Sequence, residues 1–489
     1  MRMKFLLPVL VILVNSCNPK PEKSKGDIEY FLSYDTSKIH VMLYYNTIEK
    51  DSTKFTYGEP MFGGQPDIVK GIKGLKVSNG GSLCFKEFSR EITVNYGSAR
   101  QIVIEYDITD THTAEHGLRG ELFRPMITEN YFYCHGVNLF LNPLFRDSTI
   151  KAVQTVSWKK LPGFRLFQSF DPENDGTGIS TGAPGDFLYK LITGAPDMIT
   201  EKTKIDGTLN YLVLRINKEK DYNVKSLTAY FENYYSGMRR FWNDTTDKSY
   251  CLIVQPFLSV DHNIGGMSLG NGFSGKYSYK IDTILSPERM HVLSHEIGHH
   301  WIGGIIDSDI KDQWFGEGFN DYLTYYTLSM IGLMTPAQFT HGFNSVFESH
   351  YTSKINNQPN DSVWKNYWKM GDYNKLPYRR GEIFAFYLDN QIRIISNGTK
   401  NLHDLMLSLQ EFCNNKKTGY QLSINDFIEV TSRYVGKEKI QAEMGKYITK
   451  GEPIRFSKGM LSDEFCLSFK GMVPVIGITD EKKFNATFR

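Results

Sequence analysis

Between about residues 27 and 220, apolar and polar positions alternate in short runs such as "HVMLYY", "EITVNY", "QIVIEYDI", "GVNLFL" and "LNYLVLRI", separated by Gly, Pro, Asn and Asp. A period of two, rich in β-branched and aromatic residues, predicts half-buried strands, so this stretch reads as one sheet-built domain. The period lengthens to a helical one at "VKSLTAYFENYYSGMRRFW". A strand "YCLIVQPFL", a glycine-rich loop "NIGGMSLGNGFSG" and a strand-like run to Leu285 follow, after which nearly everything to about residue 450 reads as helix. The loop "DPENDGTGISTGAPGD" carries acids and glycines but lacks the closing glutamate of a calcium loop, and reads as a long turn.

At 489 residues the chain exceeds one ordinary core and is expected to form several domains. Its 56 basic and 54 acidic side chains leave a formal charge of +2, with no block of like charge to follow a phosphate backbone, so nucleic acid is not expected as a partner. Hydrophobic residues at 40% and aromatics at 14% are enough to build substantial cores. The start, "MRMKFLLPVLVILVNSCNPK", has a basic end and an apolar run over residues 5 to 14, too short to span a bilayer and of the right length for a secretory leader. "VNSC" resembles a bacterial lipobox, which implies cleavage before Cys17 and a lipid on its thiol, hence a lipoprotein anchored in the cell envelope, facing the periplasm or the outside. The polar stretch "NPKPEKSKGD" suits a tether. Cys84, Cys134, Cys251, Cys413 and Cys466 have no CxxC spacing, which supports neither a disulfide framework nor a cysteine metal site; small buried side chains are the expectation.

Candidate chemistry appears in "LSPERMHVLSHEIGHHWIGGI". Ser286 can cap a helix, Pro287 suits its first turn, Glu288 favours its positive end, and Gly303-Gly304 is expected to stop it. At about 100° per residue, Met290, Leu293, Ile297 and Trp301 form one stripe, which leaves His295 and His299 together on the other side. One turn apart, two imidazoles can share an ion at Zn–N distances of about 2.0–2.1 Å, and Glu296 stands beside them to act on water. An ordinary helix with surface histidines has the same pattern. A catalytic zinc needs a third protein ligand, and "DQWFGEGFNDYLTYYTLSMIG" reads as a second helix ending at Gly332. Its Glu317 can complete a His2Glu set, and Asp321, four residues on, can accept an imidazole N–H or face water. His291 and His300 sit elsewhere on the wheel and are not expected to be ligands.

HExxH followed by "WFGEGF" resembles the gluzincin metallopeptidases, specifically the membrane-alanyl-aminopeptidase and glycyl-aminopeptidase families. "LPYRRGEIFAFYLDNQIRIISNGTKNLHDLM" is similar to the Tyr-x-x-Gly segment of both, while "YITKGEPI" and "GVNLFLNP" look closer to the second. The resemblance implies His295, His299 and Glu317 as ligands of one zinc ion per chain, Glu296 as general base and Tyr378 as oxyanion donor. It implies a peptide or protein substrate, and an α+β multidomain fold with a β-rich N-terminal domain, a thermolysin-like zinc catalytic domain and a helical C-terminal domain. The boundaries expected are a leader at 1–17, a tether at 18–27, β-rich 28–222, catalytic 223–345, helical 346–455 and an extension at 456–489. Two departures stand out. The gap from His299 to Glu317 is 17 residues, one shorter than usual in the first family. Gly265, Gly266, Met267 and Ser268 occupy the expected substrate-binding segment, but Ser268 or its neighbours stand where the families carry a glutamate that grips the substrate amine. An aminopeptidase, an endopeptidase or oligopeptidase with the same site, and a non-catalytic peptide-binding lipoprotein are all left open.

Overall fold

The run "KIHVMLYYN" forms the strand Lys38–Asn46, with Ile39, Val41, Leu43 and Tyr45 buried and the residues between them partly exposed. It lies inside a six-stranded sheet ordered Ser180–Gly182, Gln154–Trp158, Ile28–Asp35, Lys38–Asn46, Gln101–Thr109, Ile72–Ser78. Only the pairing of Ile28–Asp35 with Gln154–Trp158 is parallel there. Two four-stranded sheets accompany it, and their inward faces share a core that includes Tyr30, Leu43, Phe55, Phe132, Phe140 and Trp158. The computed structural model describes residues 26–488 apart from 60–61, 87–88, 148, 160, 216–223, 259–263, 269, 279–284, 310, 369–370 and 418. The expected leader with Cys17 lies outside the described residues, as does the tether except for Gly26 and Asp27.

The run "GVNLFL" differs from its expectation as a strand. It begins as a 3-10 turn, Gly136–Asn138, and the strand starts only at Asn142–Leu144. Leu139, Phe140 and Leu141 are all fully buried rather than alternating, because buried tyrosines take the place of a neighbouring strand. Tyr57 donates to the Asn138 carbonyl at 2.8 Å, Tyr106 to that of Leu139 at 3.0 Å, and Tyr30 to that of Leu141. Buried carbonyls need such partners, and alternation of hydrophobicity cannot reveal them.

A five-stranded sheet follows, ordered Met198–Ile205, Thr208–Arg215, Ser249–Pro256, Gly272–Tyr277, Ile264–Ser268. Thr208–Arg215, Ser249–Pro256 and Gly272–Tyr277 run parallel, and the helix Val224–Phe241 falls between the first two in the chain. The expected boundary near 222 therefore separates strands that belong to one sheet. Thr208–Arg215 is covered on both faces: Leu212 and Leu214 join the helical core, while Tyr211 and Val213 meet Tyr131, Tyr133 and Phe167 of the preceding region. A strand buried on both sides reads as part of whichever β region precedes it.

The expected boundary at 345 likewise falls inside the continuous helix Pro336–Tyr351. One hydrophobic core runs from Ile205 to Phe488, so the segments on either side of 345 and of 455 share it. The hairpin of Phe465–Lys470 and Val473–Ile478 and the helix Glu481–Thr487 are fastened to it where Phe339 meets Phe484 at 5.2 Å and Phe465 at 6.1 Å between ring centroids. Among the described residues no helix is long and apolar enough to cross a membrane. Cys134, Cys251 and Cys413 are buried as expected, whereas Cys84 and Cys466 are exposed.

The turn Trp314–Phe319 and the helix Gly371–Ile395 approach each other closely through two glycines. A Cβ at Gly381 would stand 1.8 Å from the Trp314 carbonyl oxygen, and one at Gly318 would stand 2.5 Å from the Gly381 Cα. Backbone touches backbone, and neither position has room for a methyl group. Gly381→Ala is expected to destabilise the protein by about 1–3 kcal/mol, as overpacking of a tight core does. Denaturant unfolding checks this, and an unchanged midpoint would contradict the contact.

Candidate metal centre

The motif helix is Pro287–Gly298, capped by Ser286, whose hydroxyl accepts from the Arg289 N–H at 3.4 Å. Leu293, Ile297 and Trp301 are fully buried and Met290 is partly so, as the stripe predicts. The helix stops before the expected Gly303-Gly304. Trp301 and Ile302 both donate to the Gly298 carbonyl at 3.0 Å, and this tightened turn swings the Trp301 indole inward to donate to Asp244 Oδ2 at 3.0 Å. Tyr230 and Tyr234, on the helix Val224–Phe241, bond Ser294 and fix the motif helix from behind.

Glu317 arises from a wide turn of π type, Trp314–Phe319, that leads into the helix Asn320–Met330. Such turns push one residue out of helical register and are frequent at functional sites. The side chain of Asn320, which sequence reasoning missed, donates to the His295 carbonyl at 2.7 Å and ties the two segments together. Only its position after "GEGF" could have drawn attention to it.

These supports bring the three expected donors together. His295 Nε2 lies 3.0 Å from His299 Nε2 and 3.2 Å from Glu317 Oε2, and His299 Nε2 lies 3.3 Å from Glu317 Oε2. Donors bound at about 2.0–2.1 Å around a tetrahedral ion are roughly 3.3 Å apart, so the set fits zinc. His299 Nδ1 lies 3.0 Å from the Ile302 carbonyl, and His295 Nδ1 lies 2.7 Å from Asp321 Oδ1, within ion-pair distance but not aligned as a hydrogen bond. A proton on each Nδ1 leaves both Nε2 lone pairs facing the shared point. Asp321 does not face water, because His291 Nε2 approaches the same oxygen at 3.1 Å.

Asp244, Asp247 and His300 form a second group of possible donors. Its geometry is different. His300 Nε2 is 2.7 Å from Asp247 Oδ2, closer than two ligands of one ion would sit, and 4.0 Å from Asp244 Oδ2. We read it as an ion pair bracing the end of the motif helix, with His300 Nδ1 on the Gly270 carbonyl at 2.8 Å.

Burial would raise the Glu317 carboxyl, but the adjoining His299 and His295 hold it well below the usual range. Asp321 is lowered in the same way by His295 and His291. Burial would depress both imidazoles, yet Asp321 raises His295 and Glu317 raises His299. Glu296 behaves oppositely: burial raises its carboxyl, and it has no hydrogen-bond or ion-pair partner among the described residues. Tyr378, on Gly371–Ile395, has its ring centroid 6.0 Å from that of His295, and burial and then Glu317 hold its hydroxyl protonated. The strand Ile264–Ser268 carries Gly265, Gly266, Met267 and Ser268 along the edge of the five-stranded sheet, beside the motif helix, and includes no acid.

No protein-family profile matches the sequence, and no curated protein matches it significantly. Solved structures match in fold. An aminopeptidase N family protein from Idiomarina loihiensis is 15% identical, over 88% of this chain and 77% of that one, with a TM-score of 0.72. An M1 zinc metallopeptidase from Deinococcus radiodurans is 12% identical, over 87% and 94%, with a TM-score of 0.55. A variant of that enzyme bound to a Tyr-Ser-Ala substrate matches with a TM-score of 0.54. The chain thus has the multidomain α+β fold of these metallopeptidases, β-rich at its N-terminal end and helical toward its C-terminal end.

Asp321→Asn, which keeps the shape but removes the charge from His295, should weaken zinc binding about 10–100-fold. Competition with a chromophoric chelator measures this, and an unchanged affinity would mean that Asp321 does not orient the imidazole.

Proposed function

We propose that the protein is a zinc-dependent metallopeptidase of gluzincin type. The convergence of His295, His299 and Glu317 at 3.0–3.3 Å, with Glu296 beside them and unpartnered among the described residues, carries this reading. Its fold supports it, since the similar Deinococcus radiodurans structures are zinc metallopeptidases, one of them with a peptide bound.

His295, His299 and Glu317 would hold the zinc, which when bound supplies a Lewis acid that lets water lose a proton near neutral pH. Glu296 takes that proton as oxygen attacks the scissile carbonyl. The Tyr378 hydroxyl donates a hydrogen bond to the oxygen on which charge develops, from a fixed and largely dry position. As the C–N bond breaks, Glu296 returns the proton to the leaving nitrogen. The edge strand Ile264–Ser268 offers backbone N–H and C=O groups to an extended peptide, holding it beside the motif helix.

The aminopeptidase fold favours removal of N-terminal residues. One observation favours a second reading with the same chemistry, an endopeptidase or oligopeptide trimmer. Ile264–Ser268 contains no carboxylate for a substrate ammonium, a charge-assisted bond of roughly 1.5–3 kcal/mol. N-acetylated and free-amine peptides separate the two, because an aminopeptidase leaves the blocked ones intact.

The leader pattern ending at Cys17 supports placing the protein at a bacterial cell envelope, held by lipid. Cys17→Ala should move it from the membrane to the soluble fraction; retention in the membrane would contradict the anchor.

Glu296→Gln is expected to abolish peptide hydrolysis with zinc still bound. Tyr378→Phe should lower kcat about 10²–10³-fold, again with zinc retained. Wild-type turnover in either variant would overturn that residue's role.

A further inference from the structure

A cavity of about 740 Å³ adjoins the candidate centre, bounded by the helices Pro287–Gly298, Asn320–Met330, Pro336–Tyr351 and Gly371–Ile395. Tyr378 and Asp321 belong to both the cavity wall and the centre, so whatever fills the cavity lies beside the reacting bond. Part of its wall is apolar, formed by Tyr325, Met334 and Val346. Glu382 also lines it. That side chain is only 3% exposed, its Oε1 is buried without a hydrogen-bond partner, and it forms no ion pair among the described residues.

An unpartnered buried carboxyl is costly and uncommon in native structures, which calls for an explanation in terms of a ligand. The neighbouring groups do not supply one. Arg379, one turn earlier on the same helix, acts on Glu382 through its charge but forms no ion pair with it, and directs Nη1 to the Ser349 carbonyl at 3.4 Å. Asp321 is occupied by His295 and His291, which leaves Glu382 as the carboxyl open to a newcomer. Glu288 adds a second acid to the wall, held ionised by hydrogen bonds at the helix start. Lys375 and Arg379 line other parts of the same wall, and an apolar side chain entering here would leave Glu382 unpaired.

We propose that this cavity is a side-chain subsite for a lysine or arginine of the peptide substrate, whose stem lies along the apolar wall and whose cationic head pairs with Glu382. This deepens the metallopeptidase reading and rests on it. Burial and then Asp321 raise the Glu382 carboxyl above its usual range, and a cationic head placed beside it would favour the ionised form. A neutral isostere of the same length gains the apolar contacts alone.

The test uses the zinc-loaded full chain and a series of peptides in which one residue, scanned along the sequence, is arginine or norleucine, which keeps an aliphatic stem without a cationic head. For one position relative to the cleaved bond, arginine should raise kcat/KM at least tenfold over norleucine. Glu382→Gln should remove that advantage while changing the norleucine rate less than threefold. Equal rates in the wild type, or a preference that survives in Glu382→Gln, would overturn the subsite. The wild-type comparison decides the matter even if the variant fails to fold. Calorimetric binding of the same peptides to Glu296→Gln protein keeps the two claims apart. If nothing is hydrolysed but arginine peptides bind at least tenfold tighter in a Glu382-dependent way, the subsite stands and the peptidase reading falls. Hydrolysis without any arginine preference removes the subsite and leaves the peptidase reading intact.

Discussion

The contact of two backbones at Gly318 and Gly381 governs this structure. With no side chain on either residue, the turn carrying Glu317 lies directly on the helix carrying Tyr378. One approach therefore places both groups at once, and the Asn320 bond to the His295 carbonyl sets that pair against the motif helix. Three segments of the chain are held within reach of one point by one backbone-to-backbone contact and one side-chain hydrogen bond to a carbonyl.

Around that point four carboxyls share a small buried volume and are driven in opposite directions. Glu317 and Asp321 are lowered because imidazoles face them, whereas Glu296 and Glu382 are raised because burial is not offset. The division matches the proposed roles. Groups that hold a cation or orient its ligands have lowered carboxyls, and the group that exchanges protons has a raised one, which makes it the stronger base. Asp321 and Glu317 raise the two histidines against burial, and since a metal ligand must offer a lone pair, binding of an ion there would favour release of any proton on Nε2. In the proposed subsite, the counter-charge of Glu382 comes with the substrate.

Much of this is legible in the sequence because its signals are local. The turn-spaced His295 and His299, the apolar stripe of the motif helix, the capping Ser286 and the placement of Glu317 and Asp321 on one face follow from helical geometry alone. What escapes depends on distant partners. The π-type turn at Trp314–Phe319 packs directly on Gly371–Ile395, and the early end of the motif helix directs a tryptophan to Asp244. Residues 198–215 read as part of the preceding β region because a strand buried on both faces shows no sign of which sheet it joins. Glu382 reads as one more charged residue on a helix, since nothing nearby in sequence shows that its neighbours are already engaged.

Anomalous diffraction at the zinc edge, from crystals of the full chain purified without chelators, is the sharpest test of the three-donor centre. One strong peak is expected within bonding distance of His295 Nε2, His299 Nε2 and Glu317 Oε2, with one coordination position left to solvent. A peak between Asp244, Asp247 and His300 instead, or none at either place in protein that hydrolyses peptides, would contradict that centre.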